Sequence, residues 1–356
     1  MTPRWRLIDA GVRPAAEHFA VNRALLEARG QGGPSTLRFL QFAPSALLGY
    51  HQSAEQELRL DYCAEHGIAI QRRISGGGAI YMDETQFGWE LYLHQSEIGS
   101  HDMAAIARRI CEAAARAVAS FGLDARFRPR NDIEVDGRKI SGTGGVMDGE
   151  ALLYHGTLLV EFDVEKMLRI LRIPAEKLSD KAIADARSRV VNLAELLGFS
   201  PPLAEVKASL QQSFAAEFGV VFEPGGLTAG ELALYQAALR EIDSSEWINL
   251  VDKPRSDLPV LEACRKFSGG LLRAALACDR PGGRLRQAWF SGDIFVNPRR
   301  TVADLEAALK DVALDDIGPT VRAFFCARDC DMLGLTAEDF IAVLHQALNQ
   351  EQSPRP

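Results

Sequence analysis

The chain has 356 residues, 47% of them hydrophobic, 25% charged, and a formal net charge of −8 at pH 7. That length suits two domains with a substantial core, and that apolar content excludes a disordered chain. The acidic balance argues against nucleic acid as the main partner, no apolar run reaches the ~18 residues of a membrane span, and the first residues lack the apolar core of a secretion signal, so a soluble, cytoplasmic monomer is expected.

In chain order, strands are expected over 35–42, 68–74, 88–94, 131–142 and 152–162. The clearest is the alternation of Trp89, Leu91 and Leu93 with Glu90, Tyr92 and His94. Residues 102–121 have helical periodicity, with Ile106, Ile110, Ala113, Ala117, Val118 and Phe121 as the buried line and Arg108, Arg109, Glu112 and Arg116 outside. A second helix is expected near 203–217. Pro224-Gly225-Gly226 marks a break, and Thr228-x-x-Glu231 is a capping-box signature for a helix reaching about 242. The domain boundary is placed at 245. Beyond it come a strand-like stretch from Leu285 to Asn297 with a Ser291-Gly292-Asp293 turn, helices starting at Thr301-x-x-Asp304 and Thr336-x-x-Asp339, and a short tail, Gln352 to Pro356. Strands with helices laid against them indicate an α+β class.

Two segments carry chemistry. Arg72-Arg73-Ile74-Ser75-Gly76-Gly77-Gly78-Ala79-Ile80-Tyr81 has three glycines after an arginine pair. Such a loop either makes a tight turn or turns its N–H groups inward as a nest for an anion, with Arg73 adding a cationic fork. It has neither the P-loop nor the dinucleotide-binding spacing. In Asn131 to Gly142, Asp136-Gly137 is a two-residue hairpin signal. With those two at the turn, Val135 pairs with Arg138, Glu134 with Lys139 and Ile133 with Ile140. Ile133, Val135 and Ile140 then share one face, and Asp132, Glu134, Lys139 and Ser141 the other. Lys139 is either half of a surface pair with Glu134 or a presented functional cation. The six cysteines, Cys63, Cys111, Cys264, Cys278, Cys326 and Cys330, make no Cys-x-x-Cys and no zinc spacing, so no protein-bound metal site is expected.

Together the two segments resemble the lipoate–protein ligase A family, whose pattern runs Arg-Arg-x-Ser-Gly-Gly-Gly-Ala, Arg-Asn-Asp, Gly-Arg-Lys-x-Ser-Gly, His-Gly-Thr-Leu-Leu and Ser-Arg-Val-x-Asn-Leu. Here these stand, in order, at Arg72 to Ala79, Arg130-Asn131-Asp132, Gly137 to Gly142, His155 to Leu159 and Ser188 to Leu193. Trp5 to Asp9 and Gly49-Tyr50-His51-Gln52 look like the family's entry strands, and the likeness covers roughly 5–222. Phe267 to Leu272 and Ser291 to Phe295 resemble the family's small accessory domain.

The resemblance implies a biotin/lipoyl protein ligase-like catalytic domain over 1–245, with mixed sheets flanked by helices, and a small α+β accessory domain over 246–356. It implies that the protein activates lipoate or octanoate with ATP and Mg²⁺ and passes the acyl group to a carrier lysine. The carrier would be a lipoyl domain, a glycine-cleavage H protein or a more specialised lipoyl carrier. Lys139 takes the catalytic role. Arg73, Ser75, Gly76, Gly77, Gly78, Ala79, Ile80, Tyr81, Lys139 and Ser141 bind ATP and lipoyl-AMP. Met82, Asp83, His155 and Thr157 fall at the substrate pocket, and Leu91, Leu93, Leu158 and Val160 are candidates for an apolar wall or for plain core. One departure is Met82, where the family carries histidine. Rival readings are an octanoyl or lipoyl transferase with a cysteine nucleophile, a biotin ligase (whose Gly-Arg-Gly-Arg loop this sequence matches poorly) and a non-catalytic ligase-like shell.

Overall fold

The structure is a computed structural model that describes residues 2–100, 102–129, 131–172, 187–252 and 254–349; Arg130 and the tail Gln352 to Pro356 lie outside these. Contacts divide the chain into two units. The first is Met1–Leu47, Glu57–Ile74 and Ala79–Ile248, and the second is Leu48–Gln56, Ser75–Gly78 and Asn249–Pro356.

The strands of the first unit are β1 (Arg4–Arg13), β2 (Thr36–Phe42), β3 (Ser45–Leu48), β4 (Ala69–Arg72), β5 (Ile80–Met82), β6 (Gln86–His94), β7 (Ala125–Arg128), β8 (Asp132–Val135), β9 (Arg138–Asp148), β10 (Ala151–Leu159) and β11 (Val221–Pro224). Eight of them form one mixed sheet in the order β11-β1-β2-β6-β10-β9-β8-β7, and β4-β3-β5 form a second. β1 runs parallel to β11 and β2, whereas β2, β6, β10, β9, β8 and β7 are antiparallel in succession. The α+β class expected from the sequence is the observed one.

β6 lies at the centre of the large sheet and is covered on both faces. Trp89, Leu91 and Leu93 enter an apolar core that also holds Ile106, Ile110, Ala113 and Ala117 of the helix Met103–Ala119 and Val206, Leu210 and Phe214 of the helix Leu203–Phe218. Glu90 and Tyr92 point to the opposite face, beneath the helix Ala15–Gly30. There Arg38 donates to Glu90 (2.8 Å) and approaches His18 Nδ1 (2.6 Å), while His18 Nε2 lies 2.7 Å from the Gln41 carbonyl. Tyr92 donates to Glu90 (2.7 Å) and accepts from Asn22 (2.6 Å). Every polar group in this chain of contacts is buried and satisfied, as burial of ions requires.

The helix Ala15–Gly30 was not among the expected elements. Its buried residues, including His18, Phe19, Ala20, Val21, Asn22, Leu25 and Leu26, go round more than one face, so no single stripe shows in the sequence. The Thr228 capping box forms as expected on the helix Ala229–Ile242: Glu231 N–H donates to Thr228 Oγ1 (3.2 Å) and Thr228 N–H to Glu231 Oε2 (2.7 Å). Glu231 also grips Arg6 through both oxygens (2.6 and 2.7 Å), joining that helix to β1. Gly49 to Gln52, expected as an entry strand, is a turn in which Gln52 N–H donates to Gly49 O (3.1 Å).

The second unit has strands β12 (Val260–Phe267), β13 (Gly270–Asp279), β14 (Arg284–Gly292), β15 (Val296–Asn297), β16 (Val312–Ala313) and β17 (Asp331–Met332), with β12-β13-β14-β16 in one antiparallel sheet and β15-β17 in a ribbon. The helices Thr301–Ala308, Ile317–Cys326 and Ala337–Leu348 close its own core. Thr336 and Asp339 form the expected capping box. Thr301 instead is the first helical residue, buried, and Asp304 pairs with Arg300 (3.1 Å). No helix among the described residues is long and apolar enough to cross a membrane.

The Arg38–Glu90 pair makes a sharp test of this fold. Glu90→Ala leaves a buried guanidinium without its carboxylate and is expected to cost about 3–5 kcal/mol. Urea unfolding measures it, and a loss under about 1 kcal/mol would show that the pair is not what holds the helix Ala15–Gly30 to the sheet.

Candidate active site

The hairpin turns at Asp136 and Gly137, whose φ angles of 52° and 73° are what a two-residue turn between twisted strands needs. Val135 faces Arg138 and Glu134 faces Lys139 as expected, but a β-bulge then shifts the register, so that Ile133 faces Ser141, rather than Ile140, and Asp132 faces Gly142. The extra residue re-aims the strand next to the site. Lys139 Nζ pairs with Asp132 Oδ1 (2.7 Å), not with Glu134, which pairs with Arg128 (3.4 Å).

Gly142 explains how the ammonium gets there. A Cβ on Gly142 would stand 2.7 Å from Lys139 Nζ and 2.9 Å from its Cε, so the lysine tip occupies the place a side chain would take. Burial pushes the Asp132 carboxyl up, but Lys139 and Arg128 outweigh it and hold it below the usual range. The backbone of Lys139 is fixed as well, because its carbonyl accepts from Val191 N–H (2.9 Å) in the Ser188 to Leu193 segment. Within that segment Asn192 exchanges two hydrogen bonds with the backbone of Phe162 (3.0 Å each), a structural anchor. Ser141 Oγ is buried with no hydrogen-bond partner among the described residues, but the bulge sets Ser141 opposite Ile133 while its neighbour Gly142 faces Lys139, so Ser141 turns to the apolar face and not, as expected, to the face of Lys139.

Register decides what shares the face of Lys139. Thr157 approaches Gly142 through Oγ1 (3.4 Å to both N and O), and His155, two residues earlier on β10, faces Glu90 and Gly144. Alternation therefore puts His155 and Thr157 on the polar side of the sheet. Burial, then the charge of Arg73, pushes the His155 imidazole down to about 3, so the ring is neutral at physiological pH and a weak base. Leu91, Leu93, Leu158 and Val160 all belong to the apolar core on the opposite face, so they form core and not a wall beside Lys139. Gly156 faces that core too: a Cβ there would meet the Trp89 ring at 2.3 Å.

Arg73 follows β4, is buried, and donates to the Leu47 carbonyl (3.0 Å); burial and the adjacent Arg72 lower its guanidinium to about 10. Ala79 and Ile80 are half-buried, and Tyr81, Met82 and Asp83 are buried. Asp83 accepts from Thr85 N–H (3.0 Å) and Oγ1 (2.6 Å) and lies 3.5 Å from Lys166, whose ammonium also sits 4.8 Å from the Tyr81 ring centre. Burial, with Asp83 beside it, pushes the Tyr81 phenol up.

Ser75 to Gly78 belong to the second unit. Gly77 has φ 91° and its N–H donates to the Ile294 carbonyl (3.1 Å). A Cβ on Gly76 would lie 2.2 Å from Ile294 O, one on Gly77 2.7 Å from the Phe295 ring, and one on Gly49 1.8 Å from Gly77 O. The glycines thus serve close backbone packing here, and one donor of the expected anion nest is engaged by Ile294.

Cys63 and Cys111 are buried, with their thiols pushed up by burial; Cys111 Sγ sits within a contact set of Thr143 Oγ1 (3.3 Å) and Tyr154 OH (3.4 Å). No group of three or more His, Cys, Asp or Glu among the described residues could hold a metal ion. Sequence reasoning placed Asp132 on the polar face but gave it no partner; only the bulge, which has no sequence signal here, makes it the counterion of Lys139.

His155 and His18 are both held near 3, His18 by burial and then Arg38. A depressed value means stability present above the unfolded pKa of about 6.5 and lost as pH falls toward 3. Between pH 7.5 and 5.5 the chain is expected to lose about 1 kcal/mol more than its His155→Gln variant. Urea unfolding at the two pH values checks this; equal losses would mean His155 titrates normally.

The model of the lipoyl protein ligase A/B catalytic domain matches residues 14–215. The octanoyltransferase LipM of Geobacillus kaustophilus is 28% identical over 68% of this chain and 97% of its own length. Among solved structures, a bipartite lipoate protein ligase of Thermoplasma acidophilum, studied with its E2 lipoyl domain, is 28% identical with a TM-score of 0.66, over 71% of this chain and all of its own. A lipoate-protein ligase A bound with ATP is 26% identical with a TM-score of 0.62, over 70% of this chain and 98% of its own. That catalytic-domain match spans more than half of the chain, which therefore belongs to the lipoyl protein ligase A/B family, whose members here include ligases and transferases.

Proposed function

We propose that the chain is an ATP-dependent lipoate–protein ligase. In this reading an oxygen of the lipoate or octanoate carboxylate attacks the α-phosphorus of ATP, pyrophosphate leaves, and the acyl-AMP forms. The ε-amine of a carrier lysine then attacks the acyl carbonyl, AMP leaves with the bonding pair, and the amine gives up a proton to form the amide. The observation that carries the reading is the Lys139 ammonium, held over Gly142 by Asp132 on the polar face of the sheet. A fixed cation there offsets the repulsion between a carboxylate and a phosphate, and then the charge that develops on the acyl oxygen. Arg73 supplies a second cation.

With no cluster of metal ligands among the described residues, Mg²⁺ fits as an ion carried chiefly by the nucleotide, whose phosphate charge it would offset. A relative studied with a lipoyl domain supports that class of carrier. The proposal keeps 1–245 as catalytic domain and 246–356 as accessory domain.

A cysteine transferase needs a reachable, activated thiol. Within 14–215 the sequence has only Cys63 and Cys111, both buried with raised thiols, which favours the ligase over the transferases that are also relatives.

Incubation with lipoate, ATP and an apo lipoyl domain should yield AMP, pyrophosphate and one lipoyl addition on one carrier lysine; acyl transfer from an octanoyl carrier without nucleotide would instead establish the transferase. Lys139→Ala should remove about 2.7–4 kcal/mol of transition-state stabilisation with the fold intact. Gly142→Ala should also slow adenylation, because its methyl displaces the lysine tip from Asp132; adenylation at the wild-type rate would show that this position of the ammonium is not used.

A further inference from the structure

Arg72, the other arginine of the pair, has a different job from Arg73. It is fully buried at the end of β4, and its guanidinium donates through Nε to the Trp247 carbonyl (3.0 Å) and through Nη2 to the Ile248 carbonyl (2.7 Å). Trp247 answers: its indole Nε1–H donates to the Arg72 carbonyl (3.0 Å). That carbonyl belongs to the peptide group joining Arg72 to Arg73. Since a peptide group is a rigid plane, fixing its oxygen fixes the direction in which Arg73 leaves β4. Arg73 is held at its other end by the Leu47 carbonyl (3.0 Å).

Trp247 lies in the short helix Ser245–Ile248, at the end of the first unit and more than thirty residues past the matched catalytic domain, which ends at 215. We propose that Trp247 is a positioning residue for the nucleotide site, setting Arg73 by clamping the Arg72–Arg73 peptide group. The inference rests on the ligase reading, in which Arg73 meets the phosphates. It also gives a physical reason to expect that a catalytic fragment cut at 245 loses function: the cut strips Arg72 of both carbonyls and of the indole.

The test uses the full chain. Trp247→Phe keeps an aromatic ring but removes the N–H, and Trp5→Phe serves as the control, being a buried tryptophan of the apolar core packed on Phe218 and Phe222. Affinity for a non-hydrolysable ATP analogue is measured by calorimetry, alongside Tm and the steady-state constants. Trp247→Phe is expected to weaken analogue binding and raise KM for ATP about three- to tenfold, the range set by loss of one buried hydrogen bond, with kcat changed less than twofold. Trp5→Phe should lower Tm with affinity unchanged. Wild-type affinity in folded Trp247→Phe would overturn the clamp while leaving the ligase reading standing. Failure of the wild-type chain to bind the analogue at all would overturn the ligase reading itself.

Discussion

A sheet buried on both faces must satisfy every polar group it carries, and the Arg38–Glu90 pair is where this chain meets that constraint. Glu90 sits on the central strand between Arg38 on β2 and His155 on β10. Its charge is balanced by Arg38 and by the Tyr92 hydroxyl, and the helix Ala15–Gly30 contributes His18 and Asn22 to complete the set. A polar layer like this is more demanding than an apolar one because each member loses its solvation and must recover it from named partners. The result is a rigid polar face on strands that continue toward the hairpin, while the opposite face is ordinary apolar core.

That division of faces governs the chemistry. Glycines on the apolar face let rings lie flat, as Gly156 does for Trp89 and Gly145 for Tyr154. On the polar face the same residue type has another use, since Gly142 leaves its Cβ position to the Lys139 ammonium. The lysine is therefore not a long side chain free in solvent. Asp132 holds it from one side, and Arg128, which pairs with the second oxygen of Asp132, holds the carboxylate in turn.

Local signals in the sequence were legible where they are complete within a few residues. The Asp136-Gly137 turn, the Thr228 and Thr336 capping boxes and the helix Met103–Ala119 each depend on side chains within one or two turns of one another. The β-bulge at Ile133/Glu134 was not legible, because no glycine or proline marks it and the alternation of Ile133, Val135 and Ile140 is kept in burial. The helix Ala15–Gly30 escaped for the opposite reason: burial on several sides removes the stripe that periodicity detects. The apolar-wall reading of Leu91, Leu93, Leu158 and Val160 could not be decided from alternation, which separates two faces but does not say which one a ligand meets. The partners of the glycine loop, at Ile294 and Phe295, lie more than two hundred residues away, beyond the reach of any local rule.

In the proposed ligase reading, Arg73 is how a chain of net charge −8 would collect an anion. Arg73 is buried, and burial together with Arg72 lowers its guanidinium to about 10, so the folded protein holds that cation under conditions that disfavour charge. An anion arriving at such a group removes part of that penalty, and the gain is larger in a buried setting than for an exposed arginine screened by water and salt. Lys139 differs in that its ammonium is held by Asp132, so it offers direction. In the proposed ligase reading, one cation held at a cost and one held in place are complementary tools for drawing in a polyphosphate and then bringing a carboxylate against it. In that reading neither tool requires a nucleophile from the protein, which agrees with the burial of both cysteines within the matched catalytic domain, and the attack on the activated acyl group falls to the amine of the carrier.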